Sequence, residues 1–265
     1  MPSKRVITSI VLVPILYIIV WELPAGYFAG LALLAAVLGQ HEFYQMDRAR
    51  GKKPLALLGM ALGAIIILEF THPLLPGVAK LTLTAGLLVI MLARLFSEQP
   101  VEGAGEDIAA TLLGVMYVAL LFGYQVGIRL GPSGKQWLVL MYLVIWASDT
   151  GAYYVGTAFG RHRLYEKISP KKSIEGLVGG VLASVIVALI CRIWFLHSLH
   201  IGDAVFLGVI LAIVGTLGDL VESLLKRSSG VKDSGTLIPG HGGILDRMDS
   251  MLFAAPVLYY YLRMR

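Results

Sequence analysis

The sequence predicts an all-α, polytopic integral membrane protein of about nine transmembrane helices. Three observations carry this expectation: the apolar content, the spacing of the apolar runs, and the uneven distribution of basic residues between them. Apolar residues make up 57% of the 265 positions and charged residues 15%, against about 25% charged in ordinary globular domains. A soluble protein of this length could not cover so much apolar surface, so the solvent for most of it is lipid. Each crossing takes about 20 residues, which leaves short loops and no room for a separate soluble domain.

Apolar runs fall near 6–22, 24–40, 55–71, 77–95, 107–127, 136–156, 175–197, 203–225 and 247–263. The first follows Lys4 and Arg5 and resembles a signal peptide. It is long for that role and no A-x-A site follows, so a retained helix is expected. Pro24 divides it from the second run. The runs up to residue 135 are apolar and generic, with His41, Glu42, Glu69 and His72 near their ends, where they read as interfacial structure. Residues 136–265 hold the polar motifs, so one membrane domain is expected with its chemistry in that half. Tyr259, Tyr260 and Tyr261 close the ninth run as an aromatic belt.

Basic residues check the count. With the N-terminus inside, the inner segments hold Lys4, Arg5, Arg48, Arg50, Lys52, Lys53, Arg94, Arg161, Arg163, Lys167, Lys171, Lys172, Lys226, Arg227, Lys232 and Arg247; the outer ones hold Lys80, Arg129, Lys135, Arg192, Arg263 and Arg265. That division, 16 against 6, is the bias the positive-inside rule requires. Nine crossings, with the N-terminus cytoplasmic and the C-terminus outside, preserve it. The net charge of +5 therefore reports topology and anionic headgroups, and nucleic acid is rejected as a partner. The single cysteine, Cys191, excludes an intramolecular disulfide and any multi-cysteine metal site.

Two inner loops, 156–173 and 226–247, are long, basic and rich in Gly, Ser, Pro and His. The eighth run leads into the second of them. Asp219, Glu222, Ser223 and Lys226 or Arg227 fall at i, i+3, i+4 and i+7 or i+8, one helical face. Carboxylates at membrane depth cost several kcal/mol unless they are paired, hydrated or bound to a cation. These lie on the membrane side of the basic residues, which suits a cation site better than a solvated tip. The loop beyond holds five glycines among Lys232, Asp233, His241 and Arg247, so backbone amides can approach a polyphosphate that the basic residues neutralise. Asp246 and Asp249 begin the ninth helix on one face. Aspartates on two helices beside a basic glycine loop suit a divalent metal and nucleotide phosphates, since Mg²⁺ takes a few carboxylates and leaves positions for phosphate oxygens.

The 27 residues from Ser223 to Asp249 resemble the signature of the phosphatidate cytidylyltransferase (CDP-diacylglycerol synthase) family. Its fixed positions are met by Ser223, Lys226, Arg227, Lys232, Asp233, Gly235, Pro239, His241, Gly242, Gly243, Asp246, Arg247 and Asp249. A second stretch is similar to the family as well: Asp149, Ala152 and Tyr153, then Gly160 and Arg161, then Ser169, Pro170, Lys171, Lys172, Ser173, Glu175 and Gly176. The Trp usual just before that Asp is displaced to Trp146.

The resemblance implies an integral enzyme of the inner (plasma) membrane in which the phosphate of phosphatidate attacks the α-phosphorus of CTP and releases pyrophosphate. The nucleophile is already anionic, so the task is to bring two polyanions together, which calls for metal ions and cationic side chains. Asp219 and Asp246 are the first-choice ligands for Mg²⁺, assisted by Asp249 and with Asp149 as a further candidate; a second cation, monovalent or divalent, is allowed for. Lys226, Arg227, Lys232 and Arg247 would bind the triphosphate or the lipid phosphate, Asp233 completes the signature, and Ser223 and His241 would orient phosphate oxygens. Asp149, Tyr153, Lys171, Lys172, Ser173, Glu175, Gly242 and Gly243 are the expected substrate-binding residues. A homodimer is the candidate assembly. Related CTP-dependent enzymes acting on polyprenols or archaeal lipids are the near rivals. A cation-coupled carrier is the distant one, disfavoured by acids clustered at helix ends and by the lack of a repeat.

Overall fold

The computed structural model describes residues 13–71, 77–238, 240 and 242–265. It is mostly helical, at 78%. Nine helical segments occur among the described residues: α1 (Val13–Glu22), α2 (Ala25–Ala49), α3 (Ala56–Thr71), α4 (Val78–Leu95), α5 (Ala104–Leu130), α6 (Gly134–Phe159), α7 (Ile174–Trp194), α8 (Ile201–Ser228) and α9 (Leu245–Met264). Each overlaps one of the apolar runs. Five, α4 to α8, are long and apolar enough to cross a membrane by length and composition. The other four miss that measure for separate reasons. The described part of α1 is short, α3 has only 16 residues, and α2 and α9 carry charged residues within their length. The chain is thus a helical membrane protein with at least five helices of spanning character.

The expectation of helices alone needs one correction. Between α6 and α7 a small antiparallel hairpin joins β1 (Arg163–Tyr165) to β2 (Ser169–Ser173), pairing Arg163 with Ser173 and Tyr165 with Ser169. A basic stretch that reads as an irregular loop is therefore tethered backbone. The second helix is also longer than its apolar run: it continues through His41 and Glu42 to Ala49, with Glu42, Tyr44 and Asp47 buried on one side and His41, Gln45 and Arg48 exposed.

The chain divides into two compact units, residues 1–130 with 228–247, and 131–227 with 248–265. The first is held by more than apolar packing. Tyr44 is fully buried; its hydroxyl donates to the Thr111 carbonyl at 2.9 Å. Gln40 donates to the Gly59 carbonyl at 3.0 Å, so α2, α3 and α5 are joined by buried polar bonds. Arg94 on α4 pairs with Asp107 on α5 at 3.0 Å, both 4% exposed, and the Lys53 amide donates to the same Asp107 at 2.6 Å. These helices are less generic than their apolar sequence suggests.

In the second unit, glycine sets the helix spacing. A Cβ on Gly151 would stand 2.7 Å from the Gly179 carbonyl oxygen, and one on Gly180 would stand 2.8 Å from that of Ser148. Helices α6 and α7 thus touch backbone to backbone, as small residues permit in membranes. Ser184 adds a hydrogen bond to the Val144 carbonyl at 2.9 Å. Helix α8 is treated alike: a Cβ on Gly208 would meet the Val185 backbone at 2.6 Å, and one on Gly218 would meet the Asp249 carbonyl oxygen at 2.6 Å. The last contact matters most, because it draws the start of α9 against the segment of α8 that carries Asp219.

Candidate active site

The predicted residues fall into two groups, one in each unit. In the first unit the glycine loop leads into α9 and is clamped by two carboxylates. Asp246, in the first turn of α9, accepts at one oxygen, Oδ2, from the Ser234 amide (2.8 Å), the Ser234 hydroxyl (2.9 Å) and the Gly243 amide (2.8 Å). Glu42, from α2, accepts from the Ile244 amide (2.9 Å) and the Leu245 amide (3.1 Å), and shares the single Ser234 hydroxyl proton (2.9 Å) with Asp246. These two amides belong to the N-terminus of α9, where backbone donors lack helical partners and favour negative charge. Asp246 is 7% exposed and Glu42 8%. Sequence reasoning set Glu42 aside as an interfacial residue, and this is overturned: it is a buried organiser of the loop. The available signal was an acid inside a long helical pattern, with no charged neighbour in sequence to pair with it.

The glycines of this loop have local reasons. Gly242 has φ +83° and lies against the Asp246 carboxylate. Gly243 and Gly235 leave space for the Glu42 carboxylate; a Cβ on Gly235 would sit 2.8 Å from its Oε1. The spacing that suggested amides open to a polyphosphate is thus, in part, room for buried carboxylates. Lys232, Asp233 and Arg247 are exposed on this loop. His241 and Pro239 lie outside the described residues.

In the second unit, the acids of α8 face ammonium groups. Lys172, delivered by β2, places its Nζ 2.6 Å from Asp219 Oδ2 and 3.5 Å from the Thr216 carbonyl. Two motifs more than 40 residues apart in sequence therefore meet at one carboxylate. Ser223 donates to Asp219 Oδ1 at 3.3 Å. Lys226 pairs with Glu222, one turn earlier, and Glu222 is fully buried. Asp249 on α9 lies within electrostatic reach of Asp219, Asp149 and Lys226. The predicted common face of α8 is present.

Other residues of the second motif hold the hairpin. Ser173 caps α7, accepting from the Gly176 amide at 3.1 Å. Glu175 accepts from the Arg161 amide at 3.1 Å and the His162 amide at 3.2 Å, and meets His162 Nδ1 at 2.6 Å. Tyr153 and Lys171 are exposed, as are Asp149 and Arg227. Among the described residues no three of His, Cys, Asp and Glu gather closely enough to form a ready-made metal cluster. Chemically, the second-unit group is a set of hard oxygen donors with lysines against it, a composition suited to phosphate and Mg²⁺.

A model of the cytidylyltransferase family matches residues 3–265. The chain is similar to proteins named phosphatidate cytidylyltransferase. The one from Synechocystis sp. is 37% identical over 290 aligned positions, covering 99% of this chain and 97% of that protein. The one from Bacillus subtilis is 30% identical over 98% of this chain and 97% of that protein. The one from Staphylococcus haemolyticus is 45% identical over 152 residues, 57% of this chain and 58% of its own. With a family match that takes in nearly every residue and full-length relatives at this identity, the chain belongs to the cytidylyltransferase family.

Proposed function

We propose that this chain is a phosphatidate cytidylyltransferase. A phosphate oxygen of phosphatidate attacks the α-phosphorus of CTP; the bond from that phosphorus to the bridging oxygen breaks, giving CDP-diacylglycerol and pyrophosphate. The observation that carries the reading is likeness over 99% of the chain to a relative of that name. The arrangement of Lys172, Asp219, Ser223, Lys226 and Asp249 agrees with it. Two polyanions must be held together, and lysines beside carboxylates at one helix end offer both phosphate binding and a seat for a cation.

Asp219 and Asp249 are the residues proposed to hold Mg²⁺, with Asp149 nearby. Their fit rests on two carboxylate-bearing residues brought together where α8 meets α9 at Gly218 and Asp249, oxygen donors of the kind Mg²⁺ takes. When bound, Mg²⁺ would offset charge on the phosphate oxygens. Lys172 and Lys226 neutralise the carboxylates and bind phosphate oxygens; Ser223 orients Asp219. Asp246, first paired with Asp219 as a ligand in the sequence, is proposed mainly to organise the loop. Lys232 and Arg247, exposed on that loop, are proposed to bind the triphosphate, with His241 as a further donor.

Nine crossings, both motif loops on the cytoplasmic face and residence in the bacterial plasma membrane are proposed with this function. They are supported by the 16-to-6 division of basic residues and by the nine helical segments. Purified protein given labelled CTP and a lipid panel should form CDP-diacylglycerol and pyrophosphate from phosphatidate. Transfer of the γ-phosphate to any lipid would refute the assignment. Cysteines placed at 157–172 and 228–238, in a Cys191→Ser background, should be labelled from the cytoplasmic side alone.

A further inference from the structure

We infer that Glu42 is a positioning residue for the nucleotide, acting through the loop that it clamps rather than by touching substrate. It is an acid of the generic-looking half whose carboxylate reaches the signature segment, about 200 positions away in sequence. Three donors meet it: the Ser234 hydroxyl and the amides of Ile244 and Leu245. Two glycines, Gly235 and Gly243, are small where it lies. Its grip bounds the segment at both ends, since Ser234 follows Lys232 and Asp233 directly while Leu245 precedes Asp246 and Arg247.

Chemistry explains why a carboxylate serves here. An ionised carboxylate offers acceptors only, and every group facing Glu42 in these contacts is a donor. A carboxamide of the same shape would turn an N–H₂ toward an O–H or N–H at one of its two ends. The result is a displaced loop, while the apolar packing of α2 is left unchanged. The Ser234 hydroxyl also stands 2.9 Å from Asp246 Oδ2, so a shift at Glu42 passes directly to the start of α9. This inference rests on reading the loop as the place where the CTP phosphates bind.

The test compares Glu42→Gln, Ser234→Ala and Lys232→Ala in the full chain in detergent, with kcat and KM for each substrate measured well below the melting temperature. Glu42→Gln should raise the KM for CTP about tenfold, the loss of one charge-assisted hydrogen bond, and leave the KM for phosphatidate within about twofold. Ser234→Ala, which keeps the Ile244 and Leu245 bonds, should raise the CTP value by a smaller factor, and it decides the question if Glu42→Gln does not fold. Equal effects on both substrates, or losses that merely follow the folded fraction, would overturn the inference. If Lys232→Ala leaves CTP binding unchanged, the loop is not the nucleotide site and the inference falls with that reading. If Lys232→Ala weakens CTP binding while Glu42→Gln does not, the inference alone falls.

Discussion

The two groups of carboxylates differ in what holds them. Glu42 and Asp246 are met by backbone amides and one hydroxyl, whereas Asp219 and Glu222 are met by the ammonium groups of Lys172 and Lys226. An amide at a helix start cannot leave without unfolding the turn. A lysine tip on a flexible stem can swing aside. The first kind of acid is thus committed to the fold, and the second is exchangeable: another cation can take the ammonium's place. Counting acids near a signature motif does not separate the two kinds; naming their donors does.

The sharpest way to break this comparison is Asp219→Asn. Turnover should fall at least about a hundredfold, as when a group that stabilises charge in the transition state is removed. Melting temperature in EDTA should change little, since relief of the like charge near Asp249 is offset by loss of the Lys172 ion pair, and the stabilisation by Mg²⁺ should vanish. Full stabilisation by Mg²⁺ in this variant would place the metal elsewhere. Asp246→Ala should behave in the opposite way. With the Ser234 and Gly243 amides left without their acceptor and the Ser234 hydroxyl left to Glu42 alone, it should cost on the order of 3 kcal/mol, seen as a lower melting temperature with or without Mg²⁺. Asp246→Asn refines the contrast: loss of the Mg²⁺ response there, with the fold kept, would restore Asp246 as a ligand. A smaller effect is expected for Lys172→Met. Turnover should drop by about tenfold as a phosphate contact is lost. The Mg²⁺ concentration giving half the thermal stabilisation should fall, because Asp219 no longer has an ammonium at 2.6 Å.

Much of this was legible in the sequence, for reasons that are local. Helical periodicity put Asp219, Glu222, Ser223 and Lys226 on one face, and the structure has Ser223 on Asp219 and Lys226 on Glu222. The apolar runs marked where helices lie. Periodicity could not show that Lys172 meets Asp219, because that contact depends on the β1–β2 hairpin and on α6 and α7 packing through glycines. Nor could it show Glu42 on the N-terminus of α9, since a clamp spanning about 200 residues has no local trace. The loop glycines were noticed for the right backbone reason, yet Gly235 and Gly243 also make space for Glu42, a neighbour that only the fold reveals.

The smallest effect separates the two reasons for a loop glycine. Gly230 and Gly242 both have positive φ, +70° and +83°, so an alanine at either costs about 1 kcal/mol in backbone strain. Their surroundings differ. A Cβ on Gly230 meets nothing within 4 Å, whereas one on Gly242 would press on the Asp246 carboxylate. Gly230→Ala should therefore lower the melting temperature slightly and leave turnover unchanged, and Gly230→Asn should recover part of the loss because Asn tolerates that conformation. Gly242→Ala should lower both, since Asp246 must move and the hydrogen bonds it accepts from Ser234 and Gly243 weaken with it. Gly242→Asn should recover nothing: the strain is relieved but the collision remains. If Gly242→Asn instead restored activity, backbone conformation alone would explain the glycine, and the carboxylate clamp would be less rigid than its hydrogen bonds imply.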